Sequence, residues 1–181
     1  DKTVCQTGTF TVTSAEADHY SSLLWTTTGT GTLTDATTLT PTYQPGTGET
    51  GAVVFTLTAF GNSPCGSITR QFTLTVNPPA NANAGPSAII CEGSTFALTG
   101  AVADNASSLL WTKSGTGIFD NATILNPTYT PSTADIIAGN VTLTLTATGL
   151  TACSAASNSV VLNISRQVIV NAGPDGMVCQ N

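Results

Sequence analysis

Ser21-Ser22-Leu23-Leu24-Trp25 returns unchanged as Ser107-Ser108-Leu109-Leu110-Trp111, 86 residues later. A fixed period of this length marks a tandem of one structural unit. Working outward, Cys5 matches Cys91, Phe10 matches Phe96 and Asp18 matches Asp104 at the same offset. Gly29-Thr30-Gly31 matches Gly115-Thr116-Gly117, and Pro41-Thr42-Tyr43 matches Pro127-Thr128-Tyr129. Beyond Pro45 and Pro131 the second unit gains two residues. The offset becomes 88, and Cys65 then matches Cys153, Cys91 matches Cys179, and Ala84-Gly85-Pro86 matches Ala172-Gly173-Pro174. The expected division is a first unit over 1–80, a second over 81–168, and a linker with the first residues of a third over 169–181. The expected context is a longer array.

Within each unit the hydrophobic pattern has period two. Phe10 and Val12 alternate with threonines, as do Val53, Phe55 and Leu57, and Leu143 and Leu145 in the second unit. The final runs carry Phe72, Leu74 and Val76, or Val160, Leu162 and Ile164. Such runs, rich in β-branched residues and separated by Gly, Pro, Asn and Ser, predict strands with one wet face. About seven short strands in under ninety residues predict an all-β, two-sheet sandwich. The one short helical candidate is Ser132–Ala138. Asn77–Pro86 reads as a stiff, extended, proline-bearing linker.

Composition narrows the function classes. Only 8% of the 181 residues are charged, against 40% hydrophobic, and the net charge is −6. Threonine and serine fill the outer faces. Four Lys+Arg against ten Asp+Glu leave no basic footprint for nucleic acid or anionic lipid. No apolar run reaches membrane-spanning length. A single histidine, with no HExxH, GxSxG or phosphate-binding loop, argues against catalysis, and no cofactor is implied.

The sequence of motifs from Trp25 through a Gly-x-Gly turn, Pro41-Thr-Tyr43 and Val53–Ala59 resembles the PKD-like branch of immunoglobulin-like sandwiches. The repeated Ala-Gly-Pro, Ser-Ser-Leu-Leu-Trp and Pro-Thr-Tyr blocks are similar to repeats of giant surface adhesins of Bacteroidota, the gliding-motility adhesins among them. The resemblance covers nearly the whole chain. It implies two tandem Ig-like (PKD-like) sandwiches arranged end to end, in an extracellular, cell-surface filament. Their role would be adhesion and gliding motility, as a rigid disulfide-closed stalk. Its partners would be neighbouring repeats, with surface or polysaccharide contacts. Rival readings are a carbohydrate- or ligand-binding module, with loops 47–50 and 133–137 as candidates, and a non-catalytic spacer of a large secreted enzyme. Thr30 and Thr116 stand where the PKD pattern carries Asp, so the resemblance assigns that turn no charge.

Five cysteines at repeat-locked positions point to disulfides and an oxidising compartment. Pairing within a unit would join Cys5 to Cys65 and Cys91 to Cys153 and leave Cys179 alone. Pairing between units would join Cys65 to Cys91 and Cys153 to Cys179. In this class of sandwich the turn before the last strand is taken to lie where the chain begins, which puts Cys65 beside Cys5. Cys91 lies beyond a strand and a linker, about 30 Å or more from Cys65 at about 3.3 Å per residue. A bridge tolerates only about 7 Å between Cα atoms, so pairing within a unit is expected.

Trp25 and Trp111 are expected in the core, given their leucine neighbours. Asp18 and Asp104 are weak candidates for calcium, which wants several clustered oxygens where only Glu16 is near. Asp120 raises the same question. His19 has Asn105 as its counterpart and reads as a surface loop residue. Asn-x-Ser/Thr sites at Asn105, Asn121, Asn140 and Asn163 matter only in a glycosylating host.

Overall fold

The computed structural model describes residues 2–171 and 173. The first half holds β1 (Lys2–Cys5), β2 (Phe10–Thr11), β3 (Tyr20–Thr27), β4 (Thr32–Thr34), β5 (Thr42–Gln44), β6 (Gly51–Gly61) and β7 (Ser67–Asn77). They form a four-stranded sheet in the order β1-β7-β6-β3, facing a three-stranded sheet in the order β2-β5-β4. The second half begins with β8 (Asn81–Asn83), β9 (Ala88–Cys91), β10 (Phe96–Ala97), β11 (Val102–Asp104) and β12 (Ala106–Lys113). It continues with β13 (Ile118–Phe119), β14 (Thr128–Thr130), α1 (Thr133–Ala138), β15 (Asn140–Gly149) and β16 (Ala156–Ser165). Its sheets repeat the first half, β9-β16-β15-β12 against β10-β14-β13, with an added β8-β11 pair. Two tandem all-β sandwiches of Ig-like type are the result.

Period two does the sorting. Along β6, Val53, Phe55 and Leu57 are buried, and along β15 Val141, Leu143, Leu145 and Ala147 are fully so, with Val54 and the threonines between them on the other face. Two separate cores follow, one around Trp25, Tyr43 and Phe55, the other around Trp111, Tyr129 and Leu143. The first core is aromatic: Phe55 stacks on Phe72 with centroids 4.9 Å apart and meets Tyr43 edge-on at 5.2 Å. Lys2 lays its ammonium 4.2 Å from the Phe72 centroid, covering a ring that is only half-buried.

The predicted strands near Phe10 and Phe96 are shorter than the alternation suggested, two residues each, because their partners β5 and β14 have only three. The helical candidate forms as α1. Ser132 caps it with a capping box to Asp135, and Gly139 ends it at φ 78°, a left-handed position that suits glycine.

Two sequence expectations need correction. The stretch Asn77–Pro86 is not a free linker. Its middle is β8, which pairs antiparallel with β11, Asn81 opposite Asp104 and Asn83 opposite Val102. The chain also does not begin beside the β6–β7 turn. β1 runs parallel to β7 with Cys5 opposite Asn77, at the far end of that strand.

Candidate functional site at the joint between units

The parallel register of β1 decides the cysteine chemistry. Ten residues of β7 separate Asn77, beside Cys5, from Ser67, beside the Cys65 turn. At about 3.3 Å per residue that is about 33 Å, far beyond the reach of a disulfide. Cys5 instead pairs with Cys153, in the β15–β16 turn of the second unit, with Cα atoms 4.8 Å apart. The expected Cys5–Cys65 and Cys91–Cys153 bridges are therefore both overturned. Cys65 and Cys91 are free and exposed. Cys179 lies outside the described residues.

Around the bridge the far end of the first unit and the near end of the second are tied together. Asn77 Nδ2 donates to the carbonyl of Thr151 at 2.8 Å, and Asn105 Nδ2 donates to the carbonyl of Pro79 at 3.1 Å. The Cys153 sulfur packs 3.3 Å from the Pro78 carbonyl oxygen. Beyond β8, the Ala84 N–H donates to Asn158 Oδ1 at 2.9 Å, and Ala84 is 2% exposed in the second core. The joint thus combines a covalent bond, an added strand pair and side-chain hydrogen bonds, and it lacks a span of free chain in which to bend.

A second constellation repeats in both units at the Gly-x-Gly turn. In the first, Glu49 accepts from the Tyr43 hydroxyl at 2.6 Å, from the Thr30 N–H at 2.7 Å and from the Gly46 N–H at 2.8 Å. In the second, Asp135 accepts from the Tyr129 hydroxyl at 2.8 Å and from the N–H groups of Gly117 at 2.8 Å, Ser132 at 2.9 Å and Thr116 at 3.0 Å. Burial alone would raise the Asp135 carboxyl. The Ser132 N–H, the Tyr129 hydroxyl and the Thr116 N–H outweigh it and hold the group at about 2. Glu49 is likewise lowered against its burial, chiefly by Tyr43 and Gly46. Burial, reinforced by Glu49, pushes Tyr43 up to about 12, and burial with Asp135 raises Tyr129 too. The turn does carry charge, supplied by a residue 19 positions further along the chain, on a loop in the first unit and on α1 in the second, rather than from within it. The carboxylates of the candidate binding loops are spent on this internal clamp.

The remaining candidates do not converge. Asp18 and Asp104 are both exposed, and Asp104 accepts from Asn81 Nδ2 at 3.4 Å. Asp120 accepts from the Asn121 N–H at 2.7 Å and the Thr128 N–H at 2.9 Å, which lowers its pKa and pins β13 to β14. Among the described residues no three His, Cys, Asp or Glu side chains gather as a metal would require. Trp25 and Trp111 are 5% and 2% exposed, and each indole N–H donates to a carbonyl, Thr38 at 3.0 Å and Leu125 at 3.2 Å. Among the described residues no helix is long and apolar enough to cross a membrane.

No family model matches the chain, and no curated protein matches it by sequence. Among solved structures it is similar to the extracellular domains 3–5 of Drosophila OTK, with a TM-score of 0.55 and 15% identity. That match covers 91% of this chain and 59% of the other. The I-band fragment I67–I69 of titin follows at a TM-score of 0.48 and 17% identity, over 91% of this chain and 62% of that one. The chain thus spans about three fifths of the length of these structures. The OTK likeness shows an Ig-like sandwich fold.

Proposed function

We propose that the chain is a stretch of an extracellular structural array, a rigid disulfide-joined stalk that serves cell-surface adhesion. The observation that carries this reading is the Cys5–Cys153 bridge, which joins one unit to the next instead of closing either. A bridge between units contributes nothing to a binding loop or a catalytic cleft. It fixes the angle at which one sandwich follows another. It also requires an oxidising compartment, and the OTK domains that the fold resembles are extracellular. The finer reading, a gliding-motility filament of Bacteroidota, rests on the resemblance of the quoted motifs. Contacts with surfaces or polysaccharide belong to that finer reading, and neighbouring repeats are the first partners. The role is structural rather than catalytic.

Small-angle scattering tests it. A rod of two end-to-end sandwiches, each with strands of about ten residues, should have a maximum dimension of about 70–90 Å. A value near 55 Å, that of a compact globule with a radius of gyration of about 16 Å, would overturn the stalk. A glycan-binding screen of the same sample separates the stalk from a carbohydrate-binding module, which alone would give a saturable hit.

A further inference from the structure

The Cys5–Cys153 bond has two unlike ends. Cys5, at the last position of β1, is 6% exposed, whereas Cys153, on the turn between β15 and β16, is half-buried. Each sulfur also has its own polar neighbours. The Thr7 hydroxyl donates to the Cys5 sulfur across 3.7 Å. The Cys153 sulfur faces two carbonyl oxygens, that of Pro78 at 3.3 Å and that of Asn77 at 3.5 Å. A hydroxyl proton favours a thiolate beside it, and carbonyl oxygens disfavour one. The same oxygens would accept the S–H of a neutral thiol. The two ends are therefore not equivalent when the bond is opened. A departing electron pair is supported on Cys5 and opposed on Cys153.

The backbone on either side is braced without the bond. The Gln6 N–H donates to the Asn77 carbonyl and the Gly8 N–H to the Cys5 carbonyl, both at 2.8 Å, so main-chain hydrogen bonds pin the chain around Cys5. The Cys153 N–H closes its own turn onto the Leu150 carbonyl at 2.8 Å. Asn77 Nδ2 on the Thr151 carbonyl ties the two braced segments directly, and β8 paired with β11 ties the units beside them. None of these contacts passes through sulfur. They keep the two Cα atoms, 4.8 Å apart in the bridge, within reach of one another when the sulfurs are separate.

We propose that the joint bridge is a directional thiol-exchange site, at which Cys153 takes up a small external thiol of the glutathione type and Cys5 leaves. The external thiolate attacks the more accessible sulfur and forms a new sulfur–sulfur bond with Cys153. The electron pair of the old bond departs on Cys5, as a thiolate under the Thr7 hydroxyl, and takes a proton from water. Access and leaving-group stability select the same end. The step reverses by the same route. The Cys5 thiolate, still held opposite, attacks the mixed disulfide on Cys153 and expels the external thiol. The joint thus reseals without an added oxidant, because the intramolecular thiol is present at high effective concentration. This inference goes beyond the stalk reading and does not depend on adhesion.

The test uses the oxidised full chain, first treated with N-ethylmaleimide to block its free thiols. It is then exposed to reduced glutathione with air excluded, sampled early, trapped with iodoacetamide and mapped without reduction. Glutathione should be found on Cys153 and carbamidomethyl on Cys5, in about tenfold excess over the reverse labelling. Thr7→Val should slow the opening by about threefold or more, since it removes the hydrogen bond to the leaving sulfur. Thr7→Ser, which keeps the hydroxyl, should restore the rate. Thr7 is exposed, and an unchanged melting temperature in both variants separates this effect from a loss of fold. When glutathione is removed before trapping, the Cys5–Cys153 peptide should return. Glutathione on Cys5 or on both sulfurs equally, a rate indifferent to Thr7→Val, a mixed disulfide that persists, or a bridge that does not open in the folded chain would each overturn the proposal.

Discussion

The hydroxyl of Tyr129 donates to Asp135 across 2.8 Å, and six residues separate the partners, as six separate Tyr43 from Glu49. The pair holds each Gly-x-Gly turn against the three-stranded sheet, whose β5 carries Tyr43 and whose counterpart β14 carries Tyr129. Gly31 donates its N–H to the Tyr43 hydroxyl at 3.0 Å, so the tyrosine passes the carboxylate's pull on to the turn. Among the described residues no buried side-chain nitrogen or oxygen lacks a partner. The clamp is therefore complete, and removing one member exposes the others.

Asp135→Asn should destabilise the second unit by about 3 kcal/mol, because an amide nitrogen would face donors that now meet a carboxylate oxygen. Glu49→Gln should cost less, about 1–2 kcal/mol, since Glu49 is only half-buried. Urea unfolding of the two variants checks the order. Equal losses would show that burial does not set the strength of the clamp.

Stability should fall off at both extremes of pH. The folded value of Asp135, about 2, lies below its ordinary 3.8. Its contribution, of about 2 kcal/mol, is present above pH 4 and lost as the pH falls from about 4 to 2. Tyr43 is raised from 10.0 to about 12, so its contribution is present below pH 10 and lost as the pH rises towards 12. Unfolding midpoints across pH measure both limbs. The acid limb should flatten in Asp135→Asn, and an unchanged limb would assign it to other carboxylates.

Peptide mapping without reduction should recover Cys5 linked to Cys153, with Cys65 and Cys91 open to alkylation. The bridge spans a sequence separation of 148, worth about 5 kcal/mol in the chain-entropy model. Cys5→Ser should accordingly lower the melting temperature by about 10 °C in a chain of this size. A Cys5–Cys65 peptide would contradict the parallel register of β1 on β7.

Gly117→Ala should cost several kcal/mol, about 3 or more, because overpacking a buried turn forces the backbone to move. A methyl there would collide with the Tyr129 hydroxyl and the Thr130 carbonyl. Gly48→Ala, at φ 76° with open space around it, should cost about 1 kcal/mol, from backbone strain alone. Parallel thermal melts compare them, and equal losses would mean that the turn has room.

Much of this architecture was legible in the sequence. The 86-residue repeat set the two sandwiches, and period two picked out Val53, Phe55, Leu57 and their counterparts. What failed was what depends on where strands lie relative to one another. Four residues of β1 carry no mark of direction, and pairing parallel to β7 at its far end moved Cys5 the length of the sheet. β8 was hidden because Asn-Ala-Asn has the composition of a linker and becomes a strand only through β11. The clamp left a signal that could have been read: an acid six residues after each repeated tyrosine, just ahead of the two-residue insertion.

The Cys5–Cys153 bond closes the residues between them into a covalent ring. Pulled at its two ends, the chain has a shortest bonded path that enters at residue 1, crosses from Cys5 to Cys153 and leaves along β16. That path is about 34 residues, whose full contour is about 115 Å, against about 620 Å for all 181 at about 3.4 Å per residue. Everything in the ring, the Trp25 core apart from Val4 included, lies off the path. Unfolding the first sandwich would therefore release almost no slack, and the molecule would behave under load as a nearly inextensible link.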